Sequence, residues 1–162
     1  MHKKLLAKKR DFEKAENDID YLQVILDKYN ELWMAEPNNF MANFNNHQMT
    51  LLFYGVLYNQ VQNGRLLQLI FNGYASYVFS EPLVMGLKAW GATSTAELIN
   101  SIKDISLQVD KEIDKTSLES LSKSYKQYPE FENYDKVFYE NDGSKEVKDY
   151  VAQHLSDFIM VK

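Results

Sequence analysis

Apolar residues along this chain recur at three- and four-residue steps, the spacing that gathers side chains on one side of an α-helix. Ile19, Leu22, Leu26, Tyr29 and Trp33 form one such stripe. Asp18 or Asn17 is placed to cap its start. Glu36-Pro37-Asn38-Asn39 ends it, because proline disfavours helical backbone in the residue before it. Residues 38–47 are rich in Asn and predict a loop. From Gln48 to Gln62 the chain is apolar on most sides, with Leu51, Leu52, Phe53, Val56, Leu57 and Val61, which predicts a core helix. Asn63-Gly64 is a left-handed cap signal, so Arg65 to Asn72 reads as a second short helix or as the far side of a kink, with Gly73 as the next stop.

The later segments carry start signals of their own. Ser80-Glu81-Pro82 opens a helix that ends at Trp90-Gly91. Ser94-Thr95-Ala96-Glu97 has capping-box spacing ahead of Leu98, Ile102, Ile105 and Val109, and Thr116-Ser117-Leu118-Glu119 repeats that signature. Pro129 opens a segment with Phe131, Tyr134 and Phe138. Asn141-Asp142-Gly143-Ser144 is a turn and N-cap before a last helix with Val147, Val151, Leu155 and Phe158. No strand alternation is convincing, although Tyr74 to Phe79 is ambiguous. The expected fold is all-α, a single compact multi-helix domain over residues 15–162, preceded by a basic arm or helix start at residues 1–14.

Charge sharpens this picture. Net charge is -5, yet Lys3, Lys4, Lys8, Lys9, Arg10 and Lys14 face only Asp11 and Glu13 in the arm. Acidic residues concentrate at Glu16 to Glu36 and from Asp110 to Asp157, while residues 37–107 are nearly uncharged. A buried centre with charged outer elements follows. The arm lacks interleaved aromatics and the rest of the chain is acidic, so direct nucleic-acid binding is not expected.

Several chemistries are excluded. There is no Cys, hence no disulfide, thiolate metal site or cysteine nucleophile. His2, His47 and His154 are too scattered for a metal site, and no cofactor or metal is expected. Phosphate-binding and nucleophile-elbow motifs are absent, and the pair Glu130/Glu132 has no convergent His, so the chain does not read as an enzyme. No apolar run reaches the length of a membrane span and no leader pattern follows the basic start, so the expected location is the cytoplasm.

The unusual segment is Gln62 to Gly73. It sets amides at helical spacing inside an apolar run, and burying amides is costly unless each finds a partner. Gly64, Gln68 and Asn72 are four apart and share a face on a continuous helix. Two readings stand: a polar groove for a ligand or peptide around Arg65, Gln68 and Asn72, or a structural latch in which Asn63 and Gly64 cap one helix while Gln68 and Asn72 satisfy backbone groups at nearby helix ends.

The spacing Gln62-Asn63-Gly64-x-x-x-Gln68-x-x-x-Asn72-Gly73 resembles the hallmark of the DNA-mimic protein family, whose usual form is Asn-Gly-Gly-Phe, then Gln, then Asn. Arg65 stands where the second Gly is usual, and Leu66 where Phe is usual. Leu87-Lys88-Ala89-Trp90-Gly91-Ala92, Thr95-Ala96-Glu97-Leu98 and Tyr128-Pro129-Glu130-Phe131-Glu132 with Asp135 and Phe138-Tyr139 extend the resemblance over roughly residues 18–160. It implies an all-helical fold. For one branch it implies acidic dimers that imitate the charge pattern of DNA and bind a transcription factor, a role carried by surface carboxylates rather than by the Gln/Asn motif.

The expected function is a non-enzymatic protein-interaction module with an unidentified protein partner and a capacity to form a homodimer. Tyr74 and Tyr77, with Phe79, are candidates for an exposed patch serving that role, and Arg65 is a candidate anion or carboxylate partner. A DNA mimic would draw on Asp110, Glu112, Asp114, Glu119, Glu130, Glu132 and Asp135, since carboxylates at phosphate-like spacings compete for DNA-binding Lys and Arg. Lys111, Lys115, Lys123, Lys126 and Lys136 are interspersed among them.

Overall fold

A computed structural model describes residues 5–162. Lys3, Lys4 and His2 of the basic arm lie outside the described residues. Among those described, the expected all-α class holds: ten α-helices, one 3-10 turn and a pair of two-residue strands. The chain divides into two compact units, the described part of Met1–Gly55 together with Ser144–Lys162, and Val56–Gly143.

In the first unit, β1 (Leu6–Ala7) leads into α1 (Lys9–Glu13) and α2 (Asp18–Ala35). Asn17 caps α2, its side chain accepting the Asp20 N–H at 2.9 Å. The expected stripe delivers Leu22, Leu26 and Tyr29 to the core, joined by Ile25 and Leu32, while Ile19 and Trp33 stay at its rim. The Asn-rich loop contains a 3-10 turn over Phe40–Asn43. Its polar residues tie the chain to itself. Asn45 and Gln48 exchange reciprocal side-chain-to-backbone bonds of 2.9 and 2.8 Å at the start of α3 (Asn46–Phe71), a capping box in amides. Asn45 also donates to the Asp157 carbonyl, and both Gln48 and the Tyr29 hydroxyl donate to the Phe158 carbonyl.

The expected last helix is broken at His154 into α9 (Ser144–Gln153) and α10 (Leu155–Phe158). β2 (Met160–Val161) then pairs in parallel with β1, Leu6 opposite Met160 and Ala7 opposite Val161. These strands are too short for any alternation to appear in the sequence.

In the second unit, the rest of α3 is followed by α4 (Ala75–Val78), α5 (Glu81–Ala89), α6 (Thr93–Glu112), α7 (Leu118–Gln127) and α8 (Phe131–Glu140). The ambiguous Tyr74–Phe79 stretch is thus a helical turn. Gly73, at φ 87°, ends α3 with Tyr74 N–H bonded to the Leu69 carbonyl and Gly73 N–H to that of Ile70, the paired closure that a left-handed glycine permits. Two predicted starts move. α6 begins at Thr93, directly after the tight turn closing α5, so Ser94 is already helical and no side chain caps it. α7 is capped by Ser117, which accepts the Ser120 N–H at 3.2 Å, one residue later than the Thr116 signature indicates. α6 packs against α4, α5 and α8. Its Ala96, Leu98, Ile99, Ile102 and Val109 are buried.

Candidate functional site

The Gln62–Gly73 segment forms a sharp bend inside α3, within the second unit. Two residues leave helical geometry there: Gly64 (φ -163°, ψ 22°) and Arg65 (φ 71°, ψ 179°). The left-handed residue is therefore Arg65 and not Gly64, a correction to the cap expected at Asn63-Gly64. A side chain at that φ and ψ stands in a region populated essentially by Gly and costs about 1–3 kcal/mol. Gly64 serves a different need. A Cβ on it would lie 1.8 Å from Gln68 Oε1, because the Gln68 side chain folds over the Gly64 backbone.

Breaking a helix frees backbone groups that require partners elsewhere. Later helices supply them. The Leu66 N–H donates to Asp135 Oδ1 at 2.9 Å, the Tyr125 hydroxyl donates to the Gly64 carbonyl at 2.5 Å, and the Tyr139 hydroxyl donates to the Val61 carbonyl at 3.0 Å. The Arg65 guanidinium lies over the Tyr125 ring, 4.2 Å from its centroid. α7 and α8 thus close the bend with two hydroxyls, one carboxyl and one ring face.

Asp135 is the electrostatic centre of this cluster. It is only 3% exposed, and burial pushes its carboxyl up to about 6. The Leu66 N–H and the Arg65 charge pull it down, and the Glu132 charge pushes it up further. The Tyr125 and Tyr139 hydroxyls are raised, chiefly by burial.

The amides themselves lie differently from expectation. Gln62, Asn63 and Asn72 are exposed and Gln68 is half-buried, so they do not line a buried polar seam. Asn72 Nδ2 donates to Gln60 Oε1 at 2.7 Å, amide to amide across the bend, rather than to a backbone group. Phe79 belongs to the core, which reduces the expected aromatic patch to the half-buried Tyr74 and Tyr77.

Asp135 also leaves the expected acidic surface, because its carboxyl points inward. Of the six remaining carboxylates, five divide into two sets. Asp110, Glu119 and Glu132 face Lys115, Lys123 and Lys136 at 2.9, 3.1 and 4.0 Å. Glu112 and Asp114 are held by neutral donors. Glu112 accepts from Gln108 and Tyr128, and Asp114 from the backbone and hydroxyl of Thr116 and from Ser120. Those bonds hold both carboxyls below the usual carboxylate range. Glu130 is exposed.

Nothing in the sequence marks Tyr125, and Tyr139 stands out only as part of the family resemblance. Asp135 carried a legible signal: with Phe131, Tyr134 and Phe138 it shares one face of α8, and a carboxylate on an apolar face is a group seeking a specific partner.

The bend and its closure belong to an all-helical fold whose third helix is interrupted. The chain belongs to the DMP19-like protein family, whose profile matches residues 42–155. It is also 27% identical over 139 residues to the DNA mimic protein DMP19 of Neisseria meningitidis serogroup B, covering 83% of this chain and 81% of that protein. No helix among the described residues is long and apolar enough to cross a membrane.

Proposed function

We propose that this protein is a non-enzymatic interaction module that engages a DNA-binding protein by presenting carboxylates in place of phosphates. The observation that carries this reading is the family match, together with the similarity to a protein named as a DNA mimic. The geometry supports a particular location for the contact. Glu112 and Asp114 are exposed, fixed by neutral hydrogen-bond donors and kept ionised, so their charge is ordered in advance without a lysine to cancel it. Ordering side chains before binding lowers the entropy lost on association. Glu130 joins them as a third exposed carboxylate, while Asp110, Glu119 and Glu132 become available to a partner able to displace their lysines.

The bend speaks against the alternative of a small-ligand pocket around Arg65, Gln68 and Asn72. Arg65 lies over Tyr125, Gln68 covers Gly64 and Asn72 bonds to Gln60, which are fold-maintaining positions. A homodimer of this chain remains a separate part of the proposal, tested by sedimentation of the protein alone.

The test is capture of a partner on the immobilised protein across a salt series with duplex DNA as competitor. A DNA-binding protein displaced by duplex DNA, and weakened by several orders of magnitude between about 50 and 200 mM salt, supports mimicry. The combined substitutions Glu112→Gln, Asp114→Asn and Glu130→Gln are expected to flatten the salt slope. Partners that ignore both salt and DNA overturn mimicry and leave a general interaction module. Turnover of a substrate that is abolished by changing Gln68 or Asn72 overturns the non-enzymatic reading altogether.

A further inference from the structure

The chain holds the pair Asn-Gly twice, as Asn63-Gly64 at the bend of α3 and as Asn72-Gly73 at its end. The pair is chemically reactive, because a glycine after asparagine has no Cβ to keep its backbone nitrogen away from the side-chain amide. The fold treats the two pairs differently. Asn72 is secured at both reacting groups: its Nδ2 donates to Gln60 Oε1 at 2.7 Å, and the Gly73 N–H donates to the Ile70 carbonyl at 3.0 Å. The Asn72 N–H is bonded as well, to the Gln68 carbonyl at 2.8 Å. Asn63 is exposed, and no bond to another described residue holds its amide. It is the last residue of helical geometry before the interruption at Gly64 and Arg65, and the ends of helical segments open more readily than their interiors.

We infer that Asn63-Gly64 is a self-modification site, at which Asn63 converts to aspartate or isoaspartate with water as the only co-reactant, while the fold protects the identical pair Asn72-Gly73. The Gly64 nitrogen gives its proton to solvent base and attacks the Asn63 Cγ. The N–Cγ bond forms, the Cγ–Nδ2 bond breaks, and the amide nitrogen leaves as ammonia after taking up a proton. The product is a cyclic imide, which water then opens. Addition at Cγ restores the main chain and leaves an aspartate. Addition at the backbone carbonyl leaves an isoaspartate, in which the main chain runs through the former side chain. No electron is transferred.

Both products carry a carboxylate where the amide was neutral. The isoaspartate also places one more carbon in the main chain between two fixed points, the Val61 carbonyl held by the Tyr139 hydroxyl and the Gly64 carbonyl held by the Tyr125 hydroxyl. The bend that α7 and α8 close is therefore the element that the modification alters. The site is independent of the DNA-mimic reading and stands or falls on different measurements.

The experiment incubates the whole protein in mildly alkaline buffer, digests samples at mildly acidic pH and follows the Asn63 and Asn72 peptides by mass spectrometry. Enzymatic methylation of isoaspartate is the second readout, and the chain unfolded in urea is treated in parallel. Asn72 must give up its bond to Gln60 before it reacts, and one net hydrogen bond corresponds to about tenfold in rate. In the folded protein Asn63 is therefore expected to convert at least about tenfold faster than Asn72. In urea the two sites are expected to convert at comparable rates. Gln60→Ala is expected to speed Asn72 by about tenfold and to leave Asn63 unchanged. Equal rates in the folded protein, a ratio that persists in urea, or an Asn63 that stays intact while the unfolded chain converts overturns the site.

Discussion

Asn72 Nδ2 and Gln60 Oε1 lie 2.7 Å apart although twelve residues separate them. On a straight helix twelve residues span about 18 Å. Two short amide side chains meet over that interval only because the backbone between them turns at Gly64 and Arg65. Their bond crosses the bend from the outside, while Asp135, Tyr125 and Tyr139 satisfy the backbone from α7 and α8.

Asn72→Leu is expected to lower stability by less than about 1 kcal/mol, the net worth of an exposed hydrogen bond. A buried amide serving the backbone would cost about 1–3 kcal/mol when lost. Urea denaturation separates the two. Combining Asn72→Leu with Gln60→Ala should give a loss no larger than that of either single change, since the pair acts as one contact.

Gly64→Ala forces the Gln68 amide aside, because the new Cβ would sit 1.8 Å from Gln68 Oε1. The φ of -163° is open to any residue, so the expected cost of about 1 kcal/mol arises from packing alone. In a Gln68→Ala background most of that cost should vanish, leaving only the 3.0 Å approach to the Cβ of residue 68. A thermodynamic cycle of the four proteins measures this directly.

Replacing Arg65 tests the strain at that position. Arg65→Ala and Arg65→Gly both remove the ring contact with Tyr125 and the attraction to Asp135. Only Gly relieves the positive φ, so Arg65→Gly should be more stable than Arg65→Ala by about 1–2 kcal/mol. Equal stabilities would mean that the backbone relaxes when the side chain is cut back.

The pH dependence of stability follows from Asp135. Its carboxyl is raised from 3.8 to about 6 in the folded state, so the native protein binds a proton more tightly than the unfolded chain. The associated stability is complete below about pH 4 and is lost as pH rises through about 6, a change on the order of 3 kcal/mol. Asp135→Asn keeps an acceptor for Leu66 and carries no charge. Its unfolding free energy should be flatter across that interval, and at pH 7.5 at least equal to that of the parent. Denaturation curves at pH 4.5, 5.5 and 7.5 check the sign.

Much of the fold was legible because helical periodicity and punctuation are local. The Ile19–Trp33 stripe, the stop at Gly73 and the Ser80-Glu81-Pro82 start each depend on a few adjacent residues. The interruption near Gly64 was legible for the same reason. Its mechanism was not. Which of two neighbouring residues carries the positive φ is decided by Tyr125, Asp135 and Tyr139, which lie about sixty to eighty residues later in the chain. Likewise, the sequence groups Asp135 with surface carboxylates because charge density along a chain does not say which way a side chain points. The α6 and α7 starts slipped by a residue or so because capping signatures overlap, and the preceding turn selects among them.

The pairing of Leu6 with Met160 sets an order on the protein's assembly. A ribosome delivers residues in sequence, so the first strand waits for Met160 and Val161 before it gains its hydrogen bonds. Asn45, Gln48 and Tyr29 wait in the same way for the carbonyls of Asp157 and Phe158. The unit made of Val56–Gly143 draws on one continuous stretch and has all its parts as soon as α8 emerges. During synthesis the bent-helix unit therefore holds the means to mature first, and the unit that joins residues before Val56 to residues after Gly143 closes later.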